Sequence, residues 1–272
     1  MVKTFACSKH GIEISCIMFS MYYEQQVAKE VQNWQRKMTS RPSVVNWLSK
    51  EMQNKVNRII PEKVHKGITA TIKGMVRGVL FGAQYTSPKK RHFESLMDLE
   101  EAVDKRIRVY KNTAAAEGGI TGAGGFLMAM ADFPILLSMK LKLLFDLAAL
   151  YGCDVKDYKE RLYILHIFQL AFSSQQHRRD VYYQMVDWDV KKKQLPDDVH
   201  QFNWRSFQQE YRDYIDLAKL AQMIPGIGAV VGFVVNYRLI QKLGDTAKNA
   251  YRMRLMEQNK QLDPVRRTDL SL

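Results

Sequence analysis

The sequence predicts an all-α protein, and three observations support this fold class. First, apolar residues recur every three or four positions along nearly the whole chain, which is the period of an amphipathic helix. Second, no stretch of convincing length alternates apolar and polar residues, so no strand is predicted. Third, the 272 residues are 46% apolar and include only 7 prolines and 15 glycines, a composition that can form a packed core. We therefore predict a single-domain bundle of about eight to ten helices.

Four helices are predicted in the first half of the chain. Each is an apolar stripe, and the first three stop close to a proline, because proline cannot continue a helix. The stripes cover residues 23–38, 45–59, 64–79 and 93–110.

Capping residues place the helices of the second half. Asp132 precedes Phe133 and Pro134, and proline is tolerated in a first helical turn, so a helix is predicted to start at Asp132 and to stop at Gly152. Asp157 with Glu160 three residues later is a variant capping box that opens the next helix. Further apolar stripes cover residues 181–188 and 204–218, and a last helix runs from Pro225 to about residue 256.

The chain is predicted to have one folded domain with a short extension at each end. Residues 1–20 are expected to be a disordered or mis-assigned extension, residues 21–258 the helical domain, and residues 259–272 a polar tail. Three cysteines form no even framework, which favours a reducing compartment. No window offers the 18 to 20 clean apolar residues that a membrane-spanning helix needs.

Positive charge is concentrated in one part of the chain. The protein carries a net charge of +13, and residues 50–91 hold ten Lys or Arg against two Glu. At 100° per residue, the basic positions of helix 64–79 lie opposite its apolar stripe, as on helices that bind anionic lipid. A core helix whose solvated face happens to be basic remains an open alternative. The predicted membrane contacts are Lys66, Lys73, Arg77, Lys89, Lys90 and Arg91.

Two glycine-rich segments are predicted to be helix-packing surfaces. The segment 118–125 follows a helical stretch rather than a strand and lacks a closing GK[ST], so it does not fit a nucleotide-binding loop. Small residues let a neighbouring helix approach closely, and we expect the two segments to pack centrally on each other. The glycines concerned are Gly118, Gly119, Gly122, Gly124, Gly125, Gly228 and Gly232.

No catalytic motif is recognised. The histidines and cysteines lack metal-ligand spacing, no nucleophile with a base is visible, and no stacking aromatics or recognition motif suggest nucleic acid. Lys142 and Asp146 form an i, i+4 pair within an apolar helix, either a structural pair or a functional polar site. An unrecognised catalytic site would be tested first at four polar residues, which are Asp132, Lys142, Asp146 and Asp154. We expect no cofactor and no metal.

The chain resembles the EcsC family of bacterial proteins over residues 21–258. The resemblance is carried by the central segments 118–127, 131–134 and 149–154 and by the closing segment 224–232. Residues 53–65 resemble the form of Bacillus-type members. The motif residues are Asp132, Pro134, Tyr151, Gly152, Asp154, Pro225 and Asn236.

The resemblance implies location more than activity. The family is named after the third protein encoded beside an ABC-type exporter, has no established reaction, and its members look membrane-associated. We therefore expect a non-enzymatic protein at the cytoplasmic face of a bacterial membrane, bound to anionic lipid or to a membrane protein such as an ABC-type transporter. The alternatives are a soluble module that binds partner helices and, less favoured, a hydrolase or transferase with an unrecognised site.

Overall fold

The protein is all-α, as the periodicity predicts. A computed structural model describes residues 9–40, 62–81, 92–123, 125–173, 177–201, 203 and 229–262, and every regular element within them is a helix. The predicted helices 45–59 and 204–218 lie outside the described residues. The α-helices are α1 Lys9–Thr39, α2 Glu62–Phe81, α3 Leu96–Ala123, α4 Gly125–Leu150, α5 Tyr158–Phe172, α6 Arg178–Met185, α7 Trp188–Lys191 and α8 Ala229–Leu262, with 3-10 turns at Lys192–Gln194 and Val199–Gln201.

A single hydrophobic core lies between α3, α4, α5 and α8. Residues 143–150 of α4 and 160–172 of α5 are buried on every side of their helices, so these two elements form the interior. The long α8 packs along α3 and also contacts α4, α5 and α1. No helix in the described part of the chain combines the length and the hydropathy that a membrane-spanning segment needs.

Two helix starts differ from the sequence prediction. The first helix begins at Lys9 rather than near residue 21, because residues 9–20 contain no proline to stop it. The fourth helix begins at Gly125, so the predicted start at Asp132 is wrong and Pro134 lies inside α4. The six residues after Gly125 favour a helix, and an internal proline removes only one backbone N–H from the hydrogen-bond ladder.

The junction of α4 and α5 has the predicted stop and start. Gly152 has φ of +78°, the left-handed conformation that glycine adopts without strain after a helix. The Asp157 side chain accepts a hydrogen bond from the backbone N–H of Lys159 at 2.9 Å, as expected of an N-cap. Glu160 does not complete the predicted capping box, because its carboxylate is held by a distant arginine, Arg254.

A close approach of two helices occurs at Gly244, a glycine outside the two glycine-rich segments. A Cβ atom added to Gly244 of α8 would lie 2.8 Å from the Cδ1 and Cγ1 atoms of Ile107 on α3. Of the glycines predicted to pack, five lie within helices, and Gly124 and Gly228 lie outside the described residues. Their packing role stays a prediction.

Replacement of Gly244 tests this contact. We expect Gly244→Ala to lower the free energy of unfolding, since overpacking costs about 1–3 kcal/mol and exceeds the gain in helix propensity. Gly74→Ala is the matched control, because no atom lies within 4 Å of the added Cβ. Combining Gly244→Ala with Ile107→Ala should cost less than the sum of the single changes in urea unfolding. Additive losses would contradict the contact.

Candidate functional site

The α2 helix places a basic face outward. Lys73 and Arg77 are exposed, whereas Ile72, Val76 and Val79 are buried against the bundle. The apolar side of this helix packs on α5 and α4. The two cations are therefore presented to solvent by a helix whose opposite side is anchored in the core.

The remaining predicted membrane contacts are only partly described. Position 66 lies within α2, and its spacing of seven and eleven residues from positions 73 and 77 puts it on the same face of the helix. Lys89, Lys90 and Arg91 lie outside the described residues. We call positions 66, 73 and 77 the basic face of α2.

Arg252 of α8 is the centre of a first buried ion cluster. Its guanidinium donates to Glu100 of α3 at 2.6 Å and to Glu30 of α1 at 2.8 Å. Tyr23 donates to the Glu100 carboxylate at 2.6 Å, and Lys248 lies 3.2 Å from it. This cluster joins α1, α3 and α8, and its members Glu30, Lys248 and Arg252 line a cleft of about 680 Å³ between these helices.

Arg254 is the centre of a second cluster on the other side of α8. Its guanidinium donates two hydrogen bonds to Glu160 of α5, at 2.5 and 2.7 Å, and two to Asp189 of α7, at 2.6 and 3.0 Å. Lys192 bridges the same two carboxylates at 2.7 and 2.9 Å. Gln258 donates to Asp189 at 2.7 Å. Paired hydrogen bonds of this kind fix both position and orientation.

Both glutamates are held in the charged form. Burial alone would raise the pKa of Glu100 and of Glu160, but hydrogen bonds and positive charge from Arg252 and Arg254 outweigh it and lower both pKa values. These carboxylates are therefore saturated acceptors rather than groups ready to exchange a proton near neutral pH.

A cavity of about 350 Å³ lies beside the Arg254 cluster. Its wall includes the loop after α4, so the structure brings the motif residues Tyr151, Gly152 and Asp154 to this cavity. Cys153 lies there too, with its Sγ 3.7 Å from the Arg254 guanidinium. Burial raises the pKa of the Cys153 thiol to about 12, so it is a protonated, weak nucleophile.

A lysine that the sequence analysis did not select is buried between α4 and α8. Lys140 and Asn236 are both 0% exposed, and the Lys140 ammonium donates to the Asn236 side-chain oxygen at 3.4 Å. It also donates to the Leu136 carbonyl at 3.4 Å. Burial of an ammonium is costly, so this contact is a constraint on how the two helices pack. The one sequence feature that could have indicated this buried contact is the position of Lys140 among several leucines.

The predicted polar pair is part of a contact between α3 and α4. Lys142 lies 3.5 Å from Asp146, which is buried, while Lys142 itself is about half exposed. Asp146 also accepts a hydrogen bond from Tyr110 at 2.8 Å and lies 3.5 Å from Arg106. The aspartate thus holds two helices together.

The other predicted residues are not gathered at one place. Asp132 lies within α4, Pro134 is exposed on that helix, and Pro225 lies outside the described residues. Among the residues that the structure describes, no cluster of three or more His, Cys, Asp or Glu side chains could hold a metal ion.

Loss of one partner from the second cluster should be strongly destabilising. We expect Arg254→Met to lower the free energy of unfolding by about 3–5 kcal/mol, because two carboxylates lose their main counter-charge. The double variant Arg254→Met with Glu160→Met should recover part of this loss, since it no longer leaves the buried Glu160 carboxylate without Arg254. A double variant no more stable than Arg254→Met in urea unfolding would contradict the account.

Glu257 should make stability depend on pH. Burial, together with the negative charge of Asp187 and Asp189, raises the pKa of Glu257 from 4.5 to about 7. Between these values the folded protein keeps a proton that the unfolded chain releases, so stability should fall as pH rises through this window. We expect Glu257→Gln to reduce the decline in Tm between pH 5 and pH 8. An equal decline in both proteins would exclude Glu257 as its source.

Comparisons with known proteins identify the family. The EcsC protein family matches residues 25–256. Protein EcsC of Bacillus subtilis (strain 168) is 42% identical over 86% of this chain and 97% of its own length. The uncharacterized protein YdbA of the same organism is 27% identical over 84% of this chain and 91% of its own length. No solved structure matches significantly. The chain therefore belongs to the EcsC protein family.

Proposed function

We propose that this protein is a non-enzymatic, membrane-associated bacterial protein, held at the cytoplasmic face by the basic face of α2 and by its apolar glycine-rich segments. The observation that carries the proposal is the outward position of Lys73 and Arg77 on a helix whose other side is buried. Fixed cations on a rigid support lose little conformational freedom when they meet a surface of anionic headgroups.

Electrostatic attraction to such a surface contributes to reversible binding. Each Lys or Arg near an anionic leaflet contributes about 1 kcal/mol, so the three positions of the basic face contribute about 3 kcal/mol. Lys89, Lys90 and Arg91 would add to this attraction. Because exposed charges are screened over about 10 Å at 0.1 M salt and about 3 Å at 1 M, charge-held binding should weaken with salt.

Apolar residues near the glycine-rich segments support a second mode of contact. Ile135 in the first half of α4 is 58% exposed, and Val234 and Tyr237 in the first turns of α8 are exposed as well. The Lys140–Asn236 contact brings these two helices together close to the same residues. Insertion of these side chains at the membrane interface would remove them from water.

The chemistry of the buried charges supports a binding role rather than catalysis. A general acid or base works best when its pKa lies near the operating pH. Glu160 is instead bound by Arg254 and Lys192 and has a lowered pKa, and the Cys153 thiol has a raised one. Any reaction would have to be carried by another residue. Glu257, whose pKa is raised to about 7, and the predicted candidates Asp132, Lys142, Asp146 and Asp154 are the first to replace.

The partner we propose is anionic lipid, with a membrane protein of the ABC-transporter class as its neighbour. The transporter role rests on the family resemblance alone. The alternative is a soluble module that binds partner helices through the exposed Ile135, Val109 and Tyr237. Binding to vesicles of pure lipid separates these two functions, since a lipid-bound protein needs no protein partner and a soluble module does.

Vesicle flotation tests the proposal. We expect the protein to float with vesicles that contain phosphatidylglycerol, but not with pure phosphatidylcholine, and to be released largely by 1 M salt. The variant Lys66→Glu, Lys73→Glu, Arg77→Glu should lose binding. The control Lys105→Glu, Lys156→Glu, Lys193→Glu changes net charge equally at exposed sites outside α2 and should still bind.

Three results would count against the proposal. Full binding by the folded α2 variant would exclude the basic face as the contact. Equal losses of vesicle binding in the two charge variants would indicate that the net charge of the protein, and not the basic face of α2, determines binding. Absence of lipid binding by the unmodified protein would favour the protein-interaction module.

A further inference from the structure

A third buried arginine differs from the two that hold α8 in place. Arg161 of α5 is 8% exposed, and it is nearly as enclosed as Arg252 and Arg254, which are 6% and 5% exposed. Arg252 and Arg254 each bind two carboxylates. Among the residues that the structure describes, the Arg161 guanidinium has no hydrogen-bond acceptor and no carboxylate within ion-pair distance. It is a buried cation without a counter-charge.

Asp157 does not supply the missing counter-charge. Its negative charge acts on Arg161 from one helical turn away, but its side chain caps α5 and accepts a hydrogen bond from the backbone N–H of Lys159 at 2.9 Å. Burial outweighs the attraction of Asp157 and lowers the pKa of the Arg161 guanidinium below its ordinary value. An arginine nevertheless stays charged at neutral pH. A buried group that lacks a partner requires a physical explanation, and a missing anion is one.

The guanidinium is open to solvent only at its outer edge. The Nε atom of Arg161 is enclosed and has no partner, whereas the two Nη atoms are not enclosed. Two parallel N–H groups on this edge match two oxygens of one carboxylate or phosphate group. Arg161 also lies near the start of α5, where the positive end of the helix dipole favours negative charge. The open edge of this side chain therefore suits an oxyanion.

We propose that Arg161 is the receptor for an oxyanion, which is the carboxylate or phosphate group of a small ligand. Each Nη atom donates a hydrogen bond to one oxygen of this group. The rest of the ligand stays at the surface beside the first turn of α5. The charge of the ligand compensates the buried cation, so the folded protein is more stable with the ligand than without it. This binding does not involve the basic face of α2.

Thermal unfolding of the full chain in phosphate, acetate or chloride tests the assignment. The three solutions have equal ionic strength at pH 7 and contain no vesicles, so membrane binding does not contribute. We expect Tm to rise and saturate with millimolar phosphate or acetate, because a ligand that binds only the folded state stabilises it. The anion that acts at the lower concentration identifies the group as phosphate or carboxylate.

Replacement of Arg161 should have two opposite effects. In chloride, we expect Arg161→Met to raise Tm by about 2–4 °C, because an uncompensated buried charge is replaced by an apolar side chain. The same variant should lose the saturable rise of Tm with phosphate or acetate. Arg161→Lys keeps the charge but not the paired donors, so it should need about tenfold more anion for the same rise.

Arg36→Met is the matched control. It changes the net charge equally at an exposed position of α1, and it should keep both the Tm in chloride and the response to the anions. Three results would overturn the proposal. They are the absence of a saturable rise of Tm in the unmodified protein, an equal rise in Arg161→Met, and a folded Arg161→Met that is less stable in chloride than the unmodified protein.

Discussion

Two buried arginine–glutamate pairs on α8 hold this bundle together. Residues 252 and 254 are about 200° apart around the helix, so their side chains leave it on opposite sides. Arg252 binds Glu100 of α3, and Arg254 binds Glu160 of α5. A charge buried without its partner costs several kcal/mol, which disfavours any packing of α8 that satisfies only one side. One helix thereby fixes the relative positions of helices distant in the chain.

The surface features follow from this interior. Since α5 and α4 are fixed within the bundle, the α2 helix that packs on them is held with Lys73 and Arg77 directed to solvent. The second arginine cluster also holds Asp189 of α7, and the preceding residue, Trp188, packs against Tyr163 of α5. The same ion pairs therefore support the basic face of α2 and hold α7 beside α5.

Local signals were predictable from the sequence, and contacts between distant residues were not. The amphipathic α2, the stop at Gly152 and the cap at Asp157 depend on neighbouring residues only. Glu160 makes a contact that the sequence does not predict. Its spacing from Asp157 fits a capping box, but its carboxylate binds Arg254, which lies 94 residues later in α8. Gly244 carries no motif, and only the packing of Ile107 on it reveals its role. The start of α4 differs from the prediction because Pro134 suits a first helical turn, whereas in the structure it lies inside the helix.

A fluorescent reporter on α2 tests most directly whether this helix lies against anionic lipid. Ala70 is exposed on the same face as Lys73 and Arg77. An environment-sensitive dye on Ala70→Cys, in a background without the native cysteines, should shift to the blue with phosphatidylglycerol vesicles and return in 1 M salt. The same dye on Lys156→Cys should not shift. An unchanged spectrum at position 70 while the protein floats with the vesicles would contradict the account.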